Sequence, residues 1–490
     1  MRTPKLISAI AVLLLLTPFI SGQRRSQPSK SLPPDLASQL IQLKDAALGS
    51  DYAYTQVAHL TNNIGPRLSG SPQAQQAVEY VKGELERLGL DVHLEPVMVP
   101  HWVRGIEIGA LIEFPGQAPG TTQKIVLTAL GASVATPDAG VTADVVVVSD
   151  FDQLTSLGRT KVEGKIVLFN EHFDKRMAAE GHGGEAYGQA VVYRAIGPSE
   201  AARLGAVACL VRSVGGADFR LPHTGALDYA PDAPKIPAAA VTAEDADLLN
   251  YLAPQGRVRM KLVLTPQTLP DAPSYNVIAD IKGSEHPEQI VIASGHLDSW
   301  DLGTGAIDDG AGVAVAMQTA QLIRRLHLVP KRTIRIIAWI NEENGGAGSK
   351  TYAADHKAEM ANHLGAIESD LGAGHPLGFQ AHVDPRALEY LAPVSAILSA
   401  SGAGLMEFSP EPVEADISPL EVAGVPGFGV YQDSRYYFNY HHTAADTLDK
   451  IVPSELAENA AAMAVLAYAL ANMPEALPRL TSAAAAGGTH

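Results

Sequence analysis

Two histidines and three acidic residues share one kind of setting: His296, Asp308, Glu343, Asp370 and His442 each follow an apolar run or lie in a glycine-rich turn. Their contexts are Ser294-Gly295-His296-Leu297-Asp298-Ser299-Trp300, Gly305-Ala306-Ile307-Asp308-Asp309-Gly310, Asn341-Glu342-Glu343-Asn344, Glu368-Ser369-Asp370 and His441-His442-Thr443. Two imidazoles and three carboxylates suit two divalent cations of hard or borderline character, with one carboxylate left to bridge them about 3.5–4 Å apart. Asp298, two residues beyond His296, is placed either to orient that imidazole by accepting its second ring proton or simply to cap the loop. The adjacent Glu342 and Glu343 can divide two tasks, one ligating and the other taking a proton from an attacking water; spacing alone does not say which.

Residues so far apart in sequence meet only if regular elements end together. After Pro270 the pattern alternates: Gln289–Ala293, Thr333–Ile340, Leu364–Glu368 and Phe428–Tyr431 read as strands. Ala311–Leu326 reads as a helix burying Val313, Met317, Ala320 and Ile323. Continuous apolar strands alternating with helices predict an α/β sheet covered by helices on both faces, and sites in such sheets collect beyond the carboxyl ends of the strands. His296, Glu342, Glu343 and Asp370 follow three such ends. A single loop His or Asp is ordinarily a turn or solvated residue, and that reading would have to hold at every one of these positions.

Upstream, Ser71-Pro72 through Leu90 places Val78, Val81, Leu85 and Leu88 on one helical face, ahead of a β-rich stretch from Val92 to Val99. Between about Gly116 and Leu264 come short β-branched runs, with strands at Val145–Val148, Lys165–Phe169, Ala206–Val211 and Ala238–Val241 and a short helix around Ala201–Leu204. This is the texture of an inserted domain. The division expected is an N-terminal part at 35–114, the insert at 115–268, the metal-binding part at 269–478, with which the N-terminal part forms one domain, and a frayed tail at 479–490. No ligand spacing links His172, His182 and His223 of the insert, so all three are expected at the surface. Cys209, the one cysteine, lies in an apolar run and reads as a buried inert thiol.

The chain has 490 residues, 46% hydrophobic, and a net charge of -17. That length supports two domains, and that charge excludes a nucleic-acid partner and an acidic membrane surface. Residues 1–22 join Arg2 and Lys5 to an apolar stretch from Leu6 to Ile20 too short to span a bilayer comfortably. They read as a secretory signal before a linker at 23–34, giving a secreted or periplasmic protein with no stable membrane span after cleavage. Ile20 is a poor cleavage context, so an uncleaved anchor is the alternative.

Taken with His442-Thr443-x-x-Asp446-Thr447, the five contexts resemble, in order and composition, the co-catalytic dizinc exopeptidases of the aminopeptidase and glutamate carboxypeptidase family. Gly65-Pro66-Arg67-Leu68-Ser69-Gly70 is similar to that family's N-terminal segment, and Val162-Glu163-Gly164-Lys165-Ile166-Val167-Leu168 to the core of a protease-associated domain. Pro222-His223-Thr224-Gly225, Pro234-Lys235-Ile236-Pro237 and Pro330-Lys331-Arg332-Thr333 resemble one branch of the family, and the likeness spans roughly positions 35 to 478.

The resemblance implies a mixed central sheet with helices on both faces plus an inserted β-rich protease-associated domain. It implies two zinc ions, with His296 and Asp370 on one, Glu343 and His442 on the other, Asp308 bridging, Glu342 as general base and a cis peptide between Asp308 and Asp309. Many relatives place a tyrosine immediately before the last histidine ligand; here that position is His441, which either donates to the oxyanion in its place or lines the pocket. Tyr436, Tyr437 and Tyr440 are the nearby hydroxyls, and Asp416-Ile417-Ser418-Pro419 resembles a segment near the family's substrate pocket. The function implied is hydrolysis of short peptides, dipeptides first. An aminopeptidase for longer peptides and a non-catalytic binding protein on the same fold are the alternatives. The insert is left with three roles: capping the cleft, limiting substrate length or forming a homodimer contact.

Overall fold

The computed structural model describes residues 31–480. The signal segment lies outside the described residues, as do most of the linker and the tail. Among the described residues, no helix is long and apolar enough to cross a membrane.

Two eight-stranded sheets organise the chain. The first runs, in spatial order, Asp91–Val103, Gln267–Ile281, Arg332–Trp339, His286–His296, His363–Glu368, Gly427–Gln432, Pro376–His382 and Leu405–Phe408. Its centre is parallel, His286–His296 lying between Arg332–Trp339 and His363–Glu368. Gln267–Ile281 pairs antiparallel with both its neighbours, so the sheet is mixed. Every residue of Arg332–Trp339 is buried, as a parallel strand with both faces covered requires. Alternate residues face opposite cores. Val291, Ala293 and Ile336 meet the helices Ala311–Arg325 and Pro453–Asn472, while Ile290, Ile292 and Ile337 pack with Tyr352 and Leu420. Helices therefore cover both faces, as expected.

The second sheet is built from Glu107–Glu113, Gln123–Ile125, Leu127–Ala129, Val141–Val148, Ile166–Phe169, Ala208–Arg212, Ala238–Val241 and Arg259–Leu264. Its strands begin at Glu107 and end at Leu264, between the long strands Asp91–Val103 and Gln267–Ile281, which pair as one antiparallel ribbon. This insert is less purely β than its sequence texture: helices Phe151–Val162, Gly183–Ala195, Gly197–Arg203 and Ala243–Leu252 flank its sheet. Gly183–Ala195 escaped the periodicity reading because glycines and alanines dilute its apolar face. Cys209 is fully buried in its strand, and burial pushes its thiol pKa far up, as an inert thiol requires.

Candidate metal centre

His296 is the last residue of its strand, fully buried, and its backbone N–H donates to Asp309 Oδ2 at 3.0 Å. Asp309 Oδ1 accepts the N–H of Gly312 at 2.8 Å, so one carboxylate ties the strand end to the start of the following helix. The approach is close enough to demand glycine: a Cβ on Gly312 would lie 1.9 Å from the Ser369 carbonyl. The turn Ala306–Gly310 that carries Asp308 is held from two sides. Asp446 Oδ1 accepts the N–H groups of Ala306 and Ile307, both at 2.8 Å. Arg67, 0% exposed, donates to the carbonyls of Leu297, Thr304 and Gly305 at 2.7, 2.8 and 2.7 Å. The Asp308–Asp309 peptide is cis.

Past the Arg332–Trp339 strand, Asn341 takes φ +70°, a conformation asparagine tolerates, and its side chain bonds Ser69 and the N–H of Ala347. The chain thereby turns Glu342 and Glu343 toward the strand ends. Asp370 follows the end of His363–Glu368, and His442 arrives from a separate loop at φ +57°.

The five donors converge. His296 Nε2 lies 3.1 Å from Asp308 Oδ1 and 3.2 Å from Asp370 Oδ1, while His442 Nε2 lies 3.2 Å from Asp308 Oδ2 and 2.9 Å from Glu343 Oε2. Each oxygen of Asp308 thus faces a different imidazole, each imidazole has a second carboxylate of its own, and Glu343 Oε1 is buried without a hydrogen-bond partner. Two nitrogen and three carboxylate donors in that arrangement fit a pair of cations sharing Asp308. The electrostatics agree. Burial would depress the His296 pKa, but Asp370 and Asp308 hold it well above the ordinary value; burial, with Asp308 adding, pushes Glu343 up to about 7. Glu342 is raised by burial, with Asp370 and Glu343 adding to it. Buried carboxylates that outnumber the imidazoles beside them are what a bound cation would relieve.

The Asp298 carboxylate does not orient the His296 imidazole, contrary to one of the two expectations. The ring N–H at His296 Nδ1 points to the backbone carbonyl of Asp298 at 3.0 Å, while its carboxylate stands 4.0 Å away. The carboxylate is occupied elsewhere, accepting Ser69 Oγ–H at 2.9 Å and the N–H of Glu342 at 3.1 Å. It therefore fixes the backbone of Glu342 rather than the imidazole.

A cleft of about 310 Å³ opens onto these groups, lined by Glu342, Asp370, His441 and Tyr437 from the first sheet's domain and by Tyr187 and Arg194 from the insert. No motif spacing marks the last two, although Arg194 stands in an apolar Val191-Val192-Tyr193-Arg194-Ala195 run, an uncommon place for an unpartnered cation. Arg194 donates through Nη1 to Tyr187 at 2.7 Å and through Nε to the Ala226 carbonyl at 3.1 Å. A Cβ on Gly225 would sit 2.2 Å from Nη1, so that glycine makes room for the guanidinium. His441 stacks on His442 with ring centroids 3.6 Å apart. His172 and His182 are exposed as expected, but His223 is 0% exposed and bonds His441 at 3.1 Å. A surface reading failed there because the partner is supplied from a segment more than two hundred residues away.

Residues 276–467 match the model of Peptidase family M28. Carboxypeptidase Q of Bos taurus is 38% identical over 447 residues, 91% of this chain and 90% of that protein. The chain belongs to the carboxypeptidase Q group of peptidase family M28. A solved M28 peptidase precursor from Shewanella amazonensis SB2B superposes with a TM-score of 0.85 at 38% identity, over 91% of this chain and 99% of that one. A zinc aminopeptidase from Bacillus subtilis shares the fold at 19% identity, with a TM-score of 0.63 over 86% of this chain and 96% of that one. As an M28 member the chain is a peptidase, and a non-catalytic binding protein is set aside.

Proposed function

We propose that this M28 peptidase is a secreted or periplasmic dizinc exopeptidase for short peptides, dipeptides first. The observation that carries the reading is Asp308, whose two oxygens face different imidazoles, each of which has a further carboxylate of its own. His296 and Asp370 would hold one zinc, Glu343 and His442 the other, and Asp308 both. When bound, the two ions lower the pKa of a water and polarise a peptide carbonyl. Glu342, at the cleft wall and held through its own N–H by Asp298, takes the proton of the attacking water and returns it to the leaving amine. Arg194 is the only lysine or arginine lining the cleft among the described residues, and a substrate's terminal carboxylate is the group it would fix. That supports an exopeptidase closed around a short substrate by its insert. Secretion rests on the leader sequence alone.

A panel of one dipeptide, free, amidated or N-acetylated, assayed with zinc and with a chelator, tests this. Release from the free dipeptide, lost on chelation and weakened by amidation, is expected. Equal release from the amidated peptide and from longer peptides would instead make it an aminopeptidase.

A further inference from the structure

His223 sits in the insert between Ala208–Arg212 and Ala238–Val241, in the motif Pro222-His223-Thr224-Gly225. It is fully buried, its backbone N–H donates to Ser213 Oγ at 3.0 Å, and its ring Nε2 lies 3.1 Å from His441 Nδ1. Its other ring nitrogen, Nδ1, meets no hydrogen-bond partner among the described residues. Only one proton can occupy the bond between the two rings. A buried N–H left unpaired is a rarer and costlier defect than an unpaired acceptor. The proton of His223 therefore belongs on Nε2, donated to His441 Nδ1, rather than on the orphaned Nδ1. That leaves the proton of His441 on Nε2, which lies 3.5 Å from Asp308 Oδ2 at the wall of the cleft.

We propose that His223 of the insert is a positioning residue, fixing His441 in the tautomer whose Nε2–H donates into the cleft toward the oxyanion of the tetrahedral intermediate. The inference rests on the hydrolytic reading above. With the opposite tautomer, His441 would present a lone pair to the developing negative charge and repel it. The insert then completes the oxyanion site as well as walling the cleft.

The test uses zinc-loaded full-length protein carrying His223→Leu or His223→Gln. A glutamine amide can donate from the position of Nε2; leucine cannot. The leucine variant should keep its zinc and its KM for a free dipeptide while kcat falls at least about tenfold, and the glutamine variant should recover most of that loss. Histidine-labelled NMR, with the His441 signal assigned through His441→Gln, should show His441 protonated on Nε2 in the wild type and His223→Gln, and a mixed population in His223→Leu. His441 protonated on Nδ1 in the wild type, an unchanged kcat in His223→Leu, or loss of zinc in both variants would each overturn the proposal. Failure of the wild type to cleave any free dipeptide would count against the hydrolytic reading instead, since the tautomer is read without turnover.

Discussion

The backbone N–H of Thr224 donates to the carbonyl of His442 at 2.9 Å, and His442 Nδ1 faces the carbonyl of Thr224 at 3.4 Å. This reciprocal pair joins the insert to the last metal-binding candidate and fixes a histidine held at φ +57°, a conformation that costs a non-glycine residue free energy. The neighbouring bonds Gly216 N–H to Phe438 O at 2.9 Å and Arg104 to Asp301 at 2.7 Å fasten the same seam. The insert is thus part of the site's frame.

Glu342→Gln keeps the backbone bond to Asp298 and the shape of the side chain while removing the proton acceptor. Zinc content should be unchanged, and kcat should fall by about a hundred- to ten-thousandfold. Metal analysis beside amino-acid release checks both, and a retained kcat would remove Glu342 from its role.

Arg194→Met should raise KM for a free dipeptide about ten- to a hundredfold, the loss expected for a charge-assisted hydrogen bond. The carboxyl-amidated peptide should respond little. If both substrates suffer equally, Arg194 supports Tyr187 and the cleft wall rather than the substrate.

Arg67→Met should destabilise the fold by about 3–5 kcal/mol, because buried carbonyls and Asp446 lose a fully enclosed partner. Denaturant titration measures the loss. Zinc affinity should fall with it, since the turn bearing Asp308 hangs on the same guanidinium.

His363 gives a pH response far from the cleft. Burial, with Arg335 adding, lowers its pKa from 6.5 to about 4, and its ring is already committed to Tyr352 at 2.8 Å and the Glu359 carbonyl at 3.2 Å. The unfolded chain binds a proton there that the folded one refuses. Stability from this group is therefore complete above pH 6.5 and is lost as pH falls toward 4, by about 3 kcal/mol. Comparing the pH dependence of unfolding for the wild type and His363→Gln isolates the effect; parallel curves would refute it.

The strands Arg332–Trp339, His363–Glu368 and Gly427–Gln432 were legible because parallel strands buried on both faces must be written as unbroken apolar runs, and the helix Ala311–Arg325 by its apolar face. Pro376–His382 and Leu405–Phe408 were not, since glycine and exposed positions break their pattern at the sheet's edge. Among the candidate donors, His296, Glu343 and Asp370 were legible because each ends or follows a strand and Asp308 because it lies in a glycine-rich turn, whereas His442 stands on a loop with no such mark. Asp298 left two readings open because sequence offers a carboxylate and a carbonyl at the same position, and only geometry chooses between them.

By itself, then, the sequence determined the local part: which segments are apolar enough to form a covered sheet, and which imidazoles and carboxylates its ends present. The tertiary structure decided what long-range contact alone can decide. It set the two oxygens of Asp308 against two different histidines, enclosed Arg67 behind the turn, and brought Arg194 and His223 of the insert to the candidate metal-binding residues. Hydrophobic periodicity is written residue by residue, whereas partners across more than two hundred residues depend on how two sheets pack.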